Sequence, residues 1–346
     1  MAIKLTKLPL PTDPPEALIR VFATVNLIGS SPAFIDMLRF ICRYADCEAP
    51  ILIQGETGTG KELVARALHY LSGRAAHAFI PVNCGALPDS LVESELFGHE
   101  RGAFTDAHTA QKGLVAQAAG GTLLLDEIDS LSSKAQVTLL RFLQDRQYRP
   151  VGGERQIKAD VRVVAATNAD LATEARAGRF RQDLYYRLDV VSFAMPPLRE
   201  RGDDIVDLAN HLIGRFALQH GRPPKALHPD TAAWLPYYAW PGNVRELENL
   251  LLREFLCTDG EFVSIAPMGD LMPAPRARGT TKGQTFKLAK ASAVAEFERS
   301  YLSEMLVRTS GNISLAARLA EKDRGAFNKL VKKYGFDTDS FRSPAR

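Results

Sequence analysis

A glycine-rich loop, Gly55-Glu-Thr-Gly-Thr-Gly-Lys-Glu62, holds residues suited to binding a phosphate group. Its glycines let the backbone turn N–H groups inward, the N-terminus of the next helix adds partial positive charge, and Lys61 adds a full charge. Ser or Thr usually follows this lysine and holds Mg²⁺, but Glu62 stands there. The loop alone leaves two interpretations open, a nucleotide site or a turn without nucleotide. Its candidate nucleotide-binding residues are Gly55, Glu56, Thr57, Gly58, Thr59, Gly60, Lys61 and Glu62.

A pair of adjacent acids follows the apolar run in Gly120-Gly-Thr-Leu-Leu-Leu-Asp-Glu127. Neighbouring carboxylates at the end of a buried strand disfavour each other's ionisation, unless a cation or a proton-transfer role occupies them. In a nucleotide site, Asp126 would hold Mg²⁺ and Glu127 would polarise the attacking water. The loop and this strand together predict a site for ATP and Mg²⁺.

A third segment, Gly102-Ala-Phe-Thr-Asp-Ala107, places Phe104 and Thr105 between small residues downstream of the glycine loop. A nucleotide site followed by such a segment suggests an ATPase that pushes on another protein. His99 and His108 flank the segment. Because neither has a Cys or carboxylate at ligand spacing, we interpret them as polar surface residues and not as metal ligands.

The elements that must position these residues alternate between strands and helices. Residues 49–54 form a short apolar run typical of a buried parallel strand, and apolar residues recur at helical spacing from Leu63 to Leu71. The alternation continues to about Met195, which predicts an α/β fold with a parallel sheet. Gly152-Gly153 predicts a hairpin within it. Pro196-Pro197 marks a boundary, after which the pattern is helical.

These motifs resemble the AAA+ core of bacterial enhancer-binding proteins, which act on RNA polymerase carrying sigma-54. The similarity runs from roughly Leu27 to Cys257, and the family's loop normally has Gly-Lys-Glu, which accounts for Glu62. The resemblance implies an α/β AAA+ P-loop parallel sheet core with a helical lid subdomain. Further stretches match in the same order: Val82-Asn-Cys84, Ala166-Thr-Asn168, Phe180-Arg-Gln-Asp183, Tyr186-Arg-Leu188, Pro196-Pro-Leu-Arg-Glu-Arg201 and Trp240-Pro-Gly-Asn-Val-Arg-Glu-Leu247.

The resemblance also implies roles for individual residues. Asn83 resembles the switch residue that hydrogen-bonds Glu127 and holds it off the water; a turn-forming amide is the alternative. Asn168 resembles the first sensor of the γ-phosphate, although Asn at a strand end is also a common loop former. Arg181 and Arg187 resemble the two fingers that reach a neighbouring subunit's nucleotide, where they stabilise charge on the phosphoryl group. Two merely exposed arginines are the alternative.

Arg245 lies where the sequence predicts the start of a helix. We predict Asn243 as the capping residue and Glu246 as its partner three residues on. Arg245 would then occupy the first turn, where the helix dipole disfavours a cation. A ligand would explain an arginine there, and the family's second sensor contacts the phosphates from this place. A solvated surface arginine remains the alternative.

In the family, the Gly-Ala-Phe-Thr segment is a mobile loop that contacts sigma-54 through its Phe and Thr. This chain keeps Phe104 and Thr105 but has Asp106 where glycine is usual. Asp tolerates turn geometry, so we expect the loop to form. Because Asp106 adds a negative charge at the expected contact, a retuned, a weakened and a lost contact all stay open.

The C-terminal part predicts a DNA-binding domain. Residues 291–309 predict a long amphipathic helix, and residues 314–320 and 324–334 predict two short helices around a tight turn. Residues 312–334 contain six basic and two acidic residues, and the segment resembles the Fis-type helix-turn-helix, although Glu321 and Lys322 occupy a turn that usually has glycine and an apolar residue. A charged helical pair used for dimer contacts is the alternative. The candidate DNA-binding residues are Arg324, Asn328, Lys329 and Lys332.

Composition bounds the class of protein. The chain has 346 residues, 46% hydrophobic and 24% charged, with a net charge of +3. No membrane-spanning run or secretory signal is present, and the four cysteines show no Cys-x-x-Cys spacing, so we expect a cytoplasmic protein with reduced thiols and no membrane partner. We predict a short N-terminal arm at 1–25, the AAA+ core at 26–195, the lid at 196–257, a linker at 258–285 and the DNA-binding domain at 286–346.

The resemblance implies a sigma-54-dependent activator that binds double-stranded DNA upstream of promoters. It would form a ring, expected to be a homo-hexamer, and use ATP hydrolysis to remodel the closed complex of sigma-54 RNA polymerase into the open complex. Since no sensing domain fits before the core, we expect control by a separate regulatory protein or by expression. Asp106 motivates an alternative, a DNA-binding regulator with an AAA+ fold that no longer engages sigma-54. A remodeller of another client is disfavoured by the helix-turn-helix.

Overall fold

The structure, a computed structural model, describes most of the chain. The described residues are 12–89, 91–202, 204–265, 298, 301, 302, 305, 306, 309, 312–320, 322–334 and 336. The chain divides into two compact units, residues 1–273 and residues 274–346. No helix in the described ranges is long and apolar enough to cross a membrane.

A five-stranded parallel sheet forms the centre of the first unit. Its order is β2-β5-β8-β1-β9, and the expected parallel α/β sheet is therefore confirmed. The strands are β1 (Ile51–Gln54), β2 (Phe79–Asn83), β5 (Thr122–Asp126), β8 (Arg162–Thr167) and β9 (Val191–Ala194). Because all are parallel, their carboxyl ends meet at one edge, where Gln54 pairs with Thr167 and Asn83 with Asp126.

Helices cover both faces of this sheet, which explains why the central strands are apolar on both sides. The helices are α1 (Pro15–Ala23), α2 (Pro32–Tyr44), α3 (Lys61–Tyr70), α4 (Val92–Phe97), α5 (Leu114–Gln117), α6 (Ser133–Asp145), α7 (Leu171–Arg176) and α8 (Gln182–Leu188). In β1, Ile51 and Ile53 pack on one face, in the cluster with the residues of α2 and α3, while Leu52 packs on the other. Alternate side chains of a strand point to opposite faces, so each strand contributes to both cores.

Two small antiparallel strand pairs lie outside the five-stranded sheet. β3 (Gly98–His99) pairs with β4 (Gln111–Lys112), and β6 (Gln147–Tyr148) pairs with β7 (Ile157–Lys158). The second pair encloses Gly152 and Gly153, so the hairpin predicted there is confirmed.

The predicted N-terminal arm, 1–25, is wrong for its described part. Residues 15–23 form α1, and Leu18 and Phe22 are fully buried in the same cluster as α2 and α3. Complete burial of side chains of this size stabilises by about 2 kcal/mol each. Pro15 occupies the first turn of this helix, where proline is tolerated. Residues 1–11 lie outside the described residues.

A buried arginine fastens the sheet to two helices. Arg162, the first residue of β8, is 1% exposed. Its guanidinium donates to the carbonyl oxygens of Ala45 at 2.5 Å, Tyr44 at 2.8 Å and Leu68 at 3.1 Å. These carbonyls belong to the carboxyl ends of α2 and α3, whose last turns lack intrahelical donors and favour a cation.

The lid is a separate helical subdomain after Pro197. It contains α9 (Asp204–His220), α10 (Pro229–Trp234) and α11 (Asn243–Cys257), with β10 (Ala226–Leu227) pairing in parallel with β11 (Phe262–Val263). Trp240 lies fully buried at its centre. The lid extends beyond the predicted boundary at 257, because β11 joins its sheet and Val263 and Ile265 fill its core. The predicted linker, 258–285, therefore begins too early.

The second unit contains the predicted pair of short helices. They are α12 (Ile313–Leu319) and α13 (Arg324–Lys333), and the side chains of Asn312 and Asp323 cap them. Ala316, Phe327 and Val331 are buried between them. The predicted helix at 291–309 lies mostly outside the described residues, and the part of the predicted linker after residue 265 lies wholly outside them.

Candidate functional site

The predicted nucleotide residues converge at the carboxyl edge of the sheet. The glycine loop follows β1, Asp126 and Glu127 end β5, Asn168 follows β8 and Asn83 ends β2. The strand register places Asn83 beside Asp126, and Asn168 Nδ2 donates to Thr57 Oγ1 of the loop at 3.2 Å. The elements thus bring together residues that are separated by more than a hundred positions in sequence.

The glycine loop curves around the amino group of Lys61. Lys61 Nζ donates to the carbonyl oxygens of Gly55 at 2.7 Å and Glu56 at 3.2 Å. Gly58 and Gly60 have φ of 79° and 97°, in the left-handed region that favours glycine. Burial lowers the pKa of Lys61, and the nearby charge of Arg245 lowers it further, whereas the acids of the site oppose this change.

Carboxylates concentrate beside this lysine. Asp126 Oδ1 accepts from the backbone N–H of Glu127 at 3.0 Å, and Asp129 Oδ1 accepts from Thr167 Oγ1 at 2.5 Å. The negative charges of these acids also act on buried Cys84. Burial raises the pKa of its thiol most, the charges of Asp126, Asp129 and Glu127 raise it further, and the pKa reaches about 12. Sequence reasoning missed Asp129, although its position two residues after Glu127 was a signal.

This oxygen-rich cluster fits Mg²⁺ of the kind that accompanies a nucleotide. Magnesium in such sites uses one or two carboxylates and completes its shell with phosphate oxygens and water. The described residues contain no group of three or more His, Cys, Asp and Glu that could hold a metal ion. Asp126 lies at the strand end beside the loop, where it would hold the cation.

Glu127 has an unusual backbone. Its φ is 54°, in the left-handed region that residues other than glycine rarely adopt. Such strain persists where the surroundings impose it, and it is common at functional sites. The side chain of Glu127 lies against Gly85. A Cβ added to Gly85 would lie 2.8 Å from Glu127 Oε2.

The predicted hydrogen bond between Asn83 and Glu127 is not formed in this structure. Asn83 Oδ1 instead accepts from the backbone N–H groups of Gly85 at 2.8 Å and Ala86 at 3.2 Å. Strand β2 ends in a tight turn there, and the Asn83 side chain caps it. The two side chains are nevertheless neighbours, since both lie against Gly85.

The lid meets the glycine loop at the start of α11. The backbone N–H of Val244 donates to the carbonyl oxygen of Gly58 at 3.0 Å. A Cβ on Gly58 would lie 2.2 Å from the carbonyl oxygen of Gly242 and 3.1 Å from Cβ of Arg245. Arg245 therefore occupies the first turn of α11, beside the loop, as the sequence predicts.

The predicted cap at Asn243 is wrong. Gly242 is the N-cap residue, and Glu246 Oε2 accepts from its backbone N–H at 2.8 Å. Asn243 is fully buried with φ of 52°, and its side chain turns toward the glycine loop and the segment after Pro197. Tertiary contacts thus take the side chain away from the local cap.

An ion pair that sequence reasoning missed joins the same two elements. Glu56, the second residue of the loop, accepts from the two terminal guanidinium nitrogens of Arg199, at 2.7 and 2.5 Å. The hydrogen bonds from Arg199, and then the one from Asn243, lower the pKa of Glu56 to about 2. Glu56 belongs to the glycine loop and Arg199 to the stretch Pro196–Arg201, but nothing in the sequence indicates that they meet.

Arg181 lies just before α8 and Arg187 lies on it, and both are exposed. Arg181 pairs with Asp183 at 2.7 Å, and Arg187 donates to the carbonyl oxygen of Leu143 at 3.0 and 3.2 Å. Among the described residues, neither forms a hydrogen bond or ion pair with the glycine loop or the two acids. Tyr186 and Val190 beside them are 68% and 56% exposed.

The Gly-Ala-Phe-Thr segment forms an exposed loop with anchored ends. The backbone N–H of Gly102 donates to the carbonyl oxygen of Ala107 at 2.8 Å. Phe104, Thr105 and Asp106 are exposed between these ends. A Cβ on Gly152 would lie 2.8 Å from Cβ of Ala103, so the tip of the β6–β7 hairpin packs closely against the loop.

His99 is buried, contrary to our interpretation of it as a surface residue. Its Nδ1 lies 2.8 Å from Ser94 Oγ, and its ring packs edge-on against Phe104 with centroids 4.9 Å apart. Strand pairing between β3 and β4 draws His99 inward. His108, in contrast, is exposed, as expected.

The DNA-binding candidates all lie on α13. Arg324, Lys329 and Lys332 are exposed, and Asn328 is half-buried. Phe327 and Val331, on the buried side of the same helix, hold it against α12. The second helix of the pair therefore presents a basic face.

Known families match both parts of the first unit. Residues 27–194 match the Sigma-54 interaction domain, and residues 199–284 match the AAA+ ATPase lid domain. ZraR, a transcriptional regulatory protein of Salmonella typhimurium, is 45% identical over 296 residues, which make up 86% of this chain and 66% of ZraR. This chain thus spans a little less than two thirds of that relative's length.

Two further relatives agree with this assignment. The DNA-binding transcriptional regulator NtrC of Escherichia coli is 41% identical over 333 residues, 91% of this chain and 71% of NtrC. The crystal structure of NtrX from Brucella abortus in complex with ATP has a TM-score of 0.64 and 33% identity, covering 92% of this chain and 72% of that one. The chain belongs to the sigma-54-dependent transcriptional activators, a family whose sigma-54 interaction domain is an AAA+ ATPase with a helical lid.

Proposed function

We propose that this protein hydrolyses ATP and uses the energy to remodel sigma-54 RNA polymerase from the closed to the open promoter complex. One observation carries the proposal. The glycine loop, the acids after β5 and Asn168 meet at one edge of the sheet, in a chain whose 27–194 segment matches the Sigma-54 interaction domain.

Each residue at this edge has a place in the reaction. Lys61 would exchange its two loop carbonyls for phosphate oxygens, which offer a stronger, charged partner. Asp126 would hold Mg²⁺, which neutralises charge on the phosphates. Glu127 would orient and polarise the attacking water, and Asn83 would restrain Glu127. Asn168, whose amide donates to Thr57 of the glycine loop, would sense the γ-phosphate. Arg245 would contact the phosphates from the lid.

Subunits of a ring would complete one another's sites. Because Arg181 and Arg187 are exposed and their described hydrogen bonds go to Asp183 and Leu143, they suit a neighbour's nucleotide. The exposed Tyr186 and Val190 beside them supply apolar area for the contact between subunits. A homo-hexamer is the assembly that we propose.

The loop with Phe104, Thr105 and Asp106 would touch sigma-54. Exposure of all three residues and anchoring of both loop ends suit a contact that transmits force. The C-terminal pair of helices would hold the ring on double-stranded DNA upstream of the promoter, with Arg324, Asn328, Lys329 and Lys332 facing the DNA. A second candidate follows from exposed Asp106, whose charge stands in the contact: a DNA-binding regulator that does not engage sigma-54.

Open-complex formation tests the proposal. Sigma-54 polymerase, a supercoiled promoter template, Mg²⁺ and ATP are mixed with the full chain or with a variant. The wild type should open the promoter, Lys61→Ala should abolish ATP turnover and opening, and Lys134→Ala on the exposed side of α6 should behave as wild type.

The two candidates give different results in this assay. ATP turnover without promoter opening, restored to opening by Asp106→Gly, would select the regulator that does not engage sigma-54. Turnover by Lys61→Ala at the wild-type rate would refute the proposed nucleotide site. For DNA binding, Lys329→Ala should weaken binding and reduce its salt dependence. Lys333→Ala, whose ammonium pairs with Glu298, serves as the matched control.

A further inference from the structure

Glu56 is an acid inside a loop that we propose to hold phosphates. A free carboxylate there would repel a polyphosphate, since like charges within a few ångströms disfavour each other. In the structure its charge is paired, because Arg199 holds both carboxylate oxygens and Asn243 Nδ2 donates to Oε2 at 3.1 Å. The side chain of Glu56 is 42% exposed and that of Arg199 27%, so the pair lies at the rim of the site and is partly shielded from water.

Asn243 connects three segments at once. Its Oδ1 accepts from the backbone N–H of Leu198 at 2.8 Å, and its Nδ2 donates to the carbonyl oxygen of Thr57 at 3.0 Å as well as to Glu56. The backbone N–H of Leu198 can only donate, so the chemistry fixes which end of the amide faces it. Asn243 is fully buried with φ of 52°, a conformation that Asn tolerates better than most residues.

We propose that Glu56, Arg199 and Asn243 form a latch that positions the start of α11, and with it Arg245, against the phosphate loop. The latch also keeps the charge of Glu56 neutralised when nucleotide binds. This inference rests on the proposed function, in which residues 55–62 hold the phosphates. Glu56, Arg199 and Asn243 are positioning residues, and the latch makes phosphate binding and lid position depend on each other.

Removing one side of the pair should differ from removing both. In Arg199→Met, Glu56 keeps its charge without a cationic partner and retains the hydrogen bond from Asn243, so its charge faces the phosphates and binding of a nucleotide weakens. In Glu56→Gln the charge is absent, and the amide still reaches Asn243. In the double variant the repulsive charge is absent too, so nucleotide affinity should return although the ion pair is gone.

The test is a titration of the full chain with a fluorescent ADP analogue in the presence of Mg²⁺. Arg199→Met should raise Kd about tenfold, whereas Glu56→Gln should raise it by no more than about threefold. The double variant should lie within about threefold of Glu56→Gln. Arg253→Met is the matched control and should leave Kd unchanged, because Arg253 pairs on α11 with its neighbour Glu254 and is 58% exposed.

A purely structural role for Arg199 predicts another pattern. If the double variant binds as weakly as Arg199→Met, neutralisation of Glu56 is not its role and the inference fails. Amide hydrogen exchange without nucleotide gives a second measurement, since residues 243–247 should exchange faster in Arg199→Met and in the double variant than in Arg253→Met; equal rates would overturn the positioning role. Unchanged Kd in Lys61→Ala would instead refute the proposed phosphate loop.

Discussion

Replacing Arg162 with methionine should strongly destabilise the first unit. Methionine fills a similar volume but cannot donate, so the carbonyl oxygens of Ala45 and Leu68 lose the guanidinium donor. The carbonyl oxygen of Tyr44 loses it too but still accepts from the backbone N–H of Cys47 at 3.1 Å. These oxygens sit in a region where Arg162 is 1% exposed, and water cannot easily replace the guanidinium there.

The magnitude follows from these contacts. A hydrogen bond to a charged group contributes about 1.5 to 3 kcal/mol, and a buried acceptor without a partner costs about 1 to 3 kcal/mol. Removing a buried cation also removes its desolvation cost, which offsets part of the loss. We therefore expect Arg162→Met to lower the free energy of unfolding by about 3 to 5 kcal/mol, and Arg162→Lys by less, because one ammonium retains some of these bonds.

Urea denaturation of the full chain, followed by far-UV circular dichroism, measures this change. Arg176→Met is the control, since Arg176 is exposed on α7 and its guanidinium donates to Ala172 and Thr173 of the same helix. A loss of less than 1 kcal/mol for Arg162→Met would refute the argument that this arginine satisfies helix-terminal carbonyls. It would mean that desolvation of the guanidinium cancels its hydrogen bonds.

Three further predictions concern the site. Gly58→Ala should lower nucleotide affinity at least about tenfold, because its Cβ would lie 2.2 Å from the Gly242 carbonyl oxygen. Gly178→Ala is the control for backbone strain, since Gly178 has φ of 75° but its Cβ would have nothing within 4 Å. Equal Kd values for the two variants would contradict the reasoning. Cys84, whose pKa burial raises to about 12, should resist iodoacetamide at pH 8 while exposed Cys257 reacts, as peptide mass mapping would show; equal labelling would contradict burial. The pKa of Glu56 is lowered from 4.5 to about 2, so its pair with Arg199 contributes stability that is present above pH 4.5 and lost as the pH falls toward 2. Glu56→Gln should therefore flatten the pH dependence of the free energy of unfolding between pH 4.5 and 2. An unchanged slope would contradict the pairing.

Local sequence signals predicted the core of the fold because they act over a few residues. The apolar run before Gly55 and the apolar residues before Asp126 both form strands of the sheet, and the spacing after Lys61 forms a helix. Parallel strands align their carboxyl ends, so residues that follow separate strands had to meet at one edge. The pair of C-terminal helices and the hairpin at Gly152 were predicted for the same reason.

Local signals failed where a distant segment competes for a side chain. Asn243 has the sequence pattern of a cap, but in the folded chain its amide bonds the Glu56 carboxylate, the carbonyl oxygen of Thr57 and the backbone N–H of Leu198 instead. His99 looked like a surface residue until strand pairing and Phe104 enclosed it. The ends of the lid and of the core were misjudged because short apolar segments gain stability only through packing that sequence periodicity does not show.

The sequence by itself determined which chemical groups this protein carries, the strands and helices that hold them and the edge of the sheet where they meet. It did so because glycine loops, apolar periodicity and charge type constrain the backbone locally. Only the tertiary structure decided which partners those groups choose: Glu56 with Arg199, Asn243 with the phosphate loop, and Arg162 with two helix ends. Such pairings join residues far apart in the chain, and their stability comes from burial and from competition among many acceptors that exist only once the chain has folded.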